Sequence, residues 1–245
     1  MRVRATCNLE LHLRIATPLI LMLRPQSGAS QWIFREEYTF SEPVSVLEYS
    51  DIFGNLCQRL VAPAGEFKIY TAAEVETSDS MDVALGATFV NVQDLPEQVL
   101  GYLLPTRYCE SDRLGDVSRK MVEGANLGYD QVASICIWIR NNIPYSPGTS
   151  DTPLSAFEVY KQGHGVCRDL AHLGIALCRS ISIPTRMVVG YLYGLEPMDL
   201  HAWFEAYVGD RWYTFDPSQE KLKGGRISIA YGRDAANVMS FTRPY

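Results

Sequence analysis

Apolar and polar residues alternate through the first third of the chain, as at Leu9, Leu11 and Leu13, and β-rich runs follow around Trp32 to Phe40 and Val44 to Tyr49. A period of two predicts half-buried strands, and Pro18, Pro25, Pro43 and Pro63 punctuate them. The stretch Tyr49-Ser50-Asp51-Ile52-Phe53-Gly54-Asn55 sets turn formers between two apolar runs, as a hairpin connection does, and reads as structural. Thr77 to Asp94 has no clear period and reads as a connecting segment. The pattern predicts a β-rich N-terminal domain over residues 1–76, a connector over 77–99 and a mixed α+β domain over 100–245.

Beyond residue 100 the period becomes helical. Ser111 is expected to cap a helix carrying Leu114, Val117, Met121 and Val122; Asp130 to cap one carrying Val132, Ile135, Cys136, Ile139 and Ile143. Thr152-Pro153 predicts a further helix start and Gly163 its end. Gly163 and Gly165 then turn into a helix headed by Cys167, with Val166, Leu170, Leu173, Leu177 and Ile181 as its apolar stripe and Pro184 as its stop. Stepping three to four from Cys167 gives Ala171, Gly174 and Cys178, a small-residue side that another element can approach closely.

Strands are expected over 185–193, 201–208 and 211–218, the last two joined by the two-residue turn Gly209-Asp210. In that hairpin Val208 faces Arg211 and Trp203 faces Asp216, so His201, Trp203 and Asp216 share a face. His201 lies diagonal to Asp216, roughly 7 to 8 Å at Cα, within reach of an imidazole and a carboxylate.

Composition narrows the partners. The chain of 245 residues is 47% hydrophobic and 20% charged, with net charge -6 and no dense Lys/Arg run, which argues against nucleic acid. The longest early apolar run, Leu19 to Leu23, is far short of the ~20 residues of a membrane span, and the N-terminus lacks the apolar core and cleavage site of a signal peptide. Six scattered cysteines in a chain with its own core fit reduced thiols in a cytoplasm. No phosphate-cradling, dinucleotide or EF-hand motif occurs, and no cofactor is expected.

A cysteine at a helix start with a histidine and an aspartate on one sheet face suits nucleophilic acyl transfer. Cys167 would attack, His201 would hold and deliver the proton, Asp216 would orient the ring, and the first N–H groups of the helix would stabilise an oxyanion. Gln162 is an oxyanion candidate; His164, Tyr145, Tyr191 and Trp203 are candidates to line the cleft. Asp169 reads as a cap and His172 as a core residue facing away from the thiol. The competing readings are a buried inert cysteine beside a satisfied core histidine, and a zinc site from His164, Cys167 and His201, which no second ligand pair supports.

The segments Gly165-Val166-Cys167-Arg168-Asp169-Leu170-Ala171-His172-Leu173, Gly190-Tyr191, His201-Ala202-Trp203-Phe204-Glu205 and Trp212-Tyr213-Thr214-Phe215-Asp216-Pro217, in this order, resemble the core of the transglutaminase-like superfamily. The resemblance is strongest to its bacterial branch of candidate cysteine proteases, which carry a β-rich N-terminal region. It implies a papain-like core, with the nucleophile helix packed on an antiparallel sheet, and a triad of Cys167, His201 and Asp216. His164 stands where relatives often carry arginine, and Arg168 where glutamine is common, which bears on substrate preference. The expectation is a thiol enzyme acting on a peptide, protein or small amide, with hydrolysis favoured over transamidation. The alternative is a catalytically idle protein-binding module on the same scaffold.

Overall fold

The structure is a computed structural model that describes residues 1–28, 30–148, 152–221 and 223–238. Six strands form the N-terminal part: β1 (Arg2–Leu13), β2 (Thr17–Leu21), β3 (Gln31–Phe40), β4 (Leu47–Ser50), β5 (Leu56–Ala62) and β6 (Gly65–Thr77). They pair antiparallel in two three-stranded sheets, ordered β1-β6-β3 and β2-β5-β4. Alternation places Leu11, Leu19, Leu21, Leu60, Phe67 and Ile69 on the facing sides, and their burial makes a small sandwich core. The turn expected at residues 49–55 joins β4 to β5, where Asp51 Oδ1 accepts the N–H groups of Phe53 and Asn55.

The second part holds helices α1 (Glu97–Leu100), α2 (Gly115–Met121), α3 (Tyr129–Asn142), α4 (Ala156–Gln162) and α5 (Cys167–Arg179). They cover one antiparallel sheet of β7 (Thr185–Leu192), β8 (His201–Val208), β9 (Arg211–Phe215) and β10 (Arg226–Gly232), ordered β10-β7-β8-β9. The large core lies between helices and sheet, with Ile135, Ile139, Leu170, Leu173, Leu177 and Phe204 at its centre. The class is α+β, as the periodicity indicates. None of the described helices is long and apolar enough to cross a membrane.

Three helix starts differ from expectation. Residues Ser111–Arg113 form a 3-10 turn closed by the Leu114 N–H on the Ser111 carbonyl, so α2 begins only at Gly115. Gly128, not Asp130, caps α3, at φ 102; a Cβ there would lie 2.3 Å from the Ala87 carbonyl, so the close crossing of that backbone demands glycine. Asp130 in the first turn instead holds Gly86 N–H and the Asn126 amide. Thr152-Pro153 precedes α4 without starting it, because Ser155 and Glu158 form a reciprocal capping box two residues further on.

β10 is an edge strand whose outer backbone is nonetheless paired. The Gln31 side-chain amide accepts Ser228 N–H and donates to Ser228 O, both at 2.8 Å. Asn55 treats Tyr231 in the same way, both at 2.7 Å. Thr77 Oγ1 donates to Arg226 O at 2.9 Å, and Gly225 N–H reaches Ser78 O at 2.8 Å. Side chains of the N-terminal layer thus act as a missing neighbour strand, which shields an otherwise open edge. Below them Ala73, Val75 and Ile227 form an apolar contact with Val3, Ala5, Ile33 and Tyr191.

Removing either amide leaves a donor and an acceptor unmet on β10. Gln31→Ala or Asn55→Ala is expected to lower unfolding free energy by roughly 1–3 kcal/mol, with unchanged far-UV circular dichroism, as measured by urea denaturation.

Candidate active site

Gly163 closes α4 in the left-handed region at φ 75, and the chain then passes through Gly165, where a Cβ would stand 2.9 Å from Asp169 Cβ. This tight passage makes Cys167 the first residue of α5. Asp169 is fully buried in the first turn; its carboxylate accepts the N–H groups of Val166 at 3.3 Å and Leu154 at 3.4 Å, and Arg168 Nε at 3.3 Å. It caps the helix and ties it to the loop before α4. Gly174 faces β8 so closely that a Cβ would fall 2.4 Å from the Phe204 ring. The small side of the helix therefore lies on the sheet, and Cys167, half-buried, is delivered to the end of β8.

His201 opens β8. Val208 pairs with Arg211 and Phe204 with Phe215, the expected register, so the next ladder step sets Asp216 opposite Trp203. His201 Nε2–H donates to Asp216 Oδ2 at 2.7 Å, with both side chains almost fully buried. The other side of the ring contacts the Cys167 thiol, and Nδ1 is the nitrogen left for it. Burial works against the imidazolium, but the hydrogen bond to Asp216 and the contact with Cys167 outweigh it and raise the His201 pKa to about 9. Burial would push the Asp216 carboxyl up; the His201 hydrogen bond, the Arg226 charge and Ser218 override it and hold the group well below the usual carboxylate range.

Several partners of Asp216 were not anticipated. Ser218 gives Oδ1 two hydrogen bonds, from N–H at 3.0 Å and Oγ at 2.7 Å, closing the Asp-Pro-Ser turn. Arg226 Nη2 stands 2.9 Å from Oδ2, and Arg140 Nη2 donates to the Asp216 carbonyl at 3.2 Å. The Asp-x-Ser spacing is a turn signal, and an arginine ahead of Ile227, Ile229 and Ala230 is a cation placed at a buried strand end.

The remaining candidates separate. Tyr145 is half-exposed, bridges to Gly165 just ahead of α5, and has its pKa raised by partial burial and then by the Cys167 and Asp199 charges. Trp203 is buried beside His201, ring centres 6.0 Å apart, and so stands behind the site and not at its surface. Gln162 donates its amide to His164 O at 2.7 Å, and His164 Nδ1 faces Gln162 O at 3.2 Å, so these two are engaged with each other where α4 ends. Tyr191 lies in the contact with the N-terminal layer, its buried hydroxyl beside Cys7. His172 is a core residue as expected: Nδ1–H donates to Leu154 O at 2.9 Å, Nε2 accepts Ala235 N–H at 3.1 Å, and the ring stacks on Tyr108. Burial lowers its pKa to about 4.

A helix-borne thiol packed against an antiparallel sheet that carries a histidine and an aspartate defines a papain-like α+β protein. The transglutaminase-like superfamily pattern matches residues 115–217. A crystal structure from Cytophaga hutchinsonii, described as that of a candidate cysteine protease, is similar with TM-score 0.87 and 33% identity, covering 99% of this chain and 87% of that one. The chain belongs to the transglutaminase-like superfamily. It is also 27% identical over 230 residues to the protein ML0607 of Mycobacterium leprae, covering 88% of this chain and 82% of the relative. The periplasmic domain of TgpA from Pseudomonas aeruginosa is a more distant likeness, with 15% identity and TM-score 0.43 over 84% of this chain and 88% of that one.

The buried neutral His172 makes stability depend on pH. Between about 4 and 6.5 the unfolded chain binds a proton at His172 that the native chain does not, so stability rises with pH. Urea unfolding from pH 4 to 7 is expected to trace this limb, on the order of 3 kcal/mol. His172→Asn should flatten it.

Proposed function

We propose that the chain is a thiol enzyme of acyl transfer acting on peptide or glutamine-type amides, with Cys167 as nucleophile, His201 as proton carrier and Asp216 as its orienting partner. The observation that carries this reading is His201, held through Nε2 by Asp216 and presenting the rest of its ring to a half-buried thiol at a helix start. An imidazolium next to sulfur is the countercharge that a thiolate needs near neutral pH.

In the proposed sequence the Cys167 thiolate forms an S–C bond to the amide carbon, and the carbonyl π pair moves to oxygen. That oxygen is proposed to face the backbone N–H of Cys167 at the start of α5, at the positive end of the helix. Collapse restores C=O, breaks the C–N bond and expels the amine, which takes the proton from His201. Water, deprotonated by the now neutral His201, attacks the thioester and releases the acid and the thiolate. An amine in place of water would give transamidation. Hydrolysis is favoured by likeness to the Cytophaga hutchinsonii structure described as a candidate cysteine protease. Tyr145 is proposed to line the acyl-donor side of the cleft.

A reducing, cytoplasmic setting belongs to the same proposal, supported by six free cysteines. Burial raises the thiols of Cys57, Cys109, Cys136 and Cys178, the second and third to about 12.

Iodoacetamide alkylation from pH 5 to 9, resolved by site with mass spectrometry, tests the reading without a substrate. Cys167 is expected to react at least tenfold faster than Cys7 below pH 7 and to lose that lead in His201→Ala. A Cys167 that reacts no faster than Cys7 at any pH would remove the enzyme reading and favour an idle protein-binding module.

A further inference from the structure

Asp216 Oδ2 is shared by two cations from different elements: His201 at the start of β8 and Arg226 at the start of β10. The Arg226 side chain is buried, with its guanidinium 5.0 Å over the Trp203 ring, whose other neighbour is His201. Its Nη2 also meets Met81 Sδ at 3.8 Å, while Nε and Nη1 are buried with no acceptor among the described residues. The Asp216 carboxylate is thus the anion that Arg226 faces. The other nearby cation, Arg140 on α3, directs Nη2 at the Asp216 backbone carbonyl and at Cys136 Sγ, 3.7 Å away, and not at the carboxylate.

The charge sequence of the acyl-transfer cycle gives this arrangement its purpose. Thiolate, imidazolium, carboxylate and guanidinium sum to zero before attack. Once the His201 proton has left with the amine, the imidazole is neutral and the sulfur is bound in a thioester. Asp216 then remains a buried anion with Arg226 as the cation still against it. A buried charge stripped of its partner is strongly unfavourable, and without Arg226 the acyl-enzyme would contain one.

We propose that Arg226 is a positioning residue of the reaction, which holds the Asp216 carboxylate fixed and charge-balanced through the stage when His201 is neutral, and that the N-terminal β layer seats it. This rests on the acyl-transfer reading given above. The seat is built from Thr77 Oγ1 on the Arg226 carbonyl, Ser78 O on Gly225 N–H, and the Gln31 clamp on Ser228, two residues along the strand. At Gly224 a Cβ would come 2.2 Å from the Asp79 carbonyl carbon, so the segment after β6 also closes directly on the chain entering β10.

The test is the alkylation profile of Cys167 from pH 5 to 10 in the wild type, Arg226→Gln, Arg226→Lys, Asp216→Asn and Asp216→Asn/Arg226→Gln, each checked for folding by circular dichroism. Loss of Arg226 leaves the Asp216 carboxylate less firmly held and less stable as an anion, which weakens the imidazolium that Asp216 supports beside Cys167. Arg226→Gln is therefore expected to move the profile up by about one pH unit and to slow alkylation roughly tenfold at pH 6, with Arg226→Lys restoring most of it. Because the arginine acts through Asp216, the double variant should match Asp216→Asn within about twofold. The proposal is overturned if Arg226→Gln superimposes on the wild type, or if its full effect reappears on top of Asp216→Asn. Should Arg226→Gln not fold, the comparison of Asp216→Asn with the double variant decides alone. A wild type in which Cys167 has no reactive advantage would instead refute the acyl-transfer reading, a result distinct from either.

Discussion

The structure depends on keeping one buried carboxylate charged. Asp216 follows the end of β9 at the meeting point of β8, β10 and α3, and each of these three contributes a group to it: His201, Arg226, and Arg140 on its carbonyl, with Ser218 closing the turn behind. A carboxylate this deep is stable as an anion only if its partners hold their places, so the four elements are constrained together and not pairwise. The hydrogen bond to Asp216 orients His201 beside Cys167 and, together with the contact to that thiol, raises the His201 pKa.

The two buried histidines show how environment, not residue type, sets protonation. His172, with a carbonyl on one nitrogen and an N–H on the other, is satisfied as the neutral ring and joins Leu154 and Ala235 across α5. His201 has a carboxylate on one nitrogen and a thiol on the other side, and these outweigh the burial that works against its charged form. One is held as a neutral structural tie and the other is poised toward its charged form, five residues and thirty-four residues beyond Cys167 respectively.

Much of this was legible in the chain because the informative relations are local. A period of two with the Gly209-Asp210 turn is enough to set His201 and Asp216 on one face, and the small residues after Cys167 are enough to press α5 onto the sheet. The errors were also local, where two start signals compete: the Ser155–Glu158 box prevails over Thr152-Pro153, and a crossing backbone at Ala87 makes Gly128 the cap of α3 in place of Asp130. What stayed hidden joins distant segments. β10 pairs with β7 and not with its chain neighbour β9, so nothing in the spacing of Asp216 and Arg226 reveals that they touch, and Gln31 meets Ser228 across 197 positions.

The near-contact of Gly174 with the Phe204 ring has a bearing on how this scaffold can vary. Only a hydrogen atom on residue 174 lets the ring fill the space against α5, and that spacing sets how far the thiol at the helix start stands from the imidazole at the strand start. Positions 174 and 204 therefore behave as a single volume shared between two elements. A descendant that gains a methyl at the first must surrender ring at the second, and the two columns should drift together across a lineage while the cysteine at the helix start stays still.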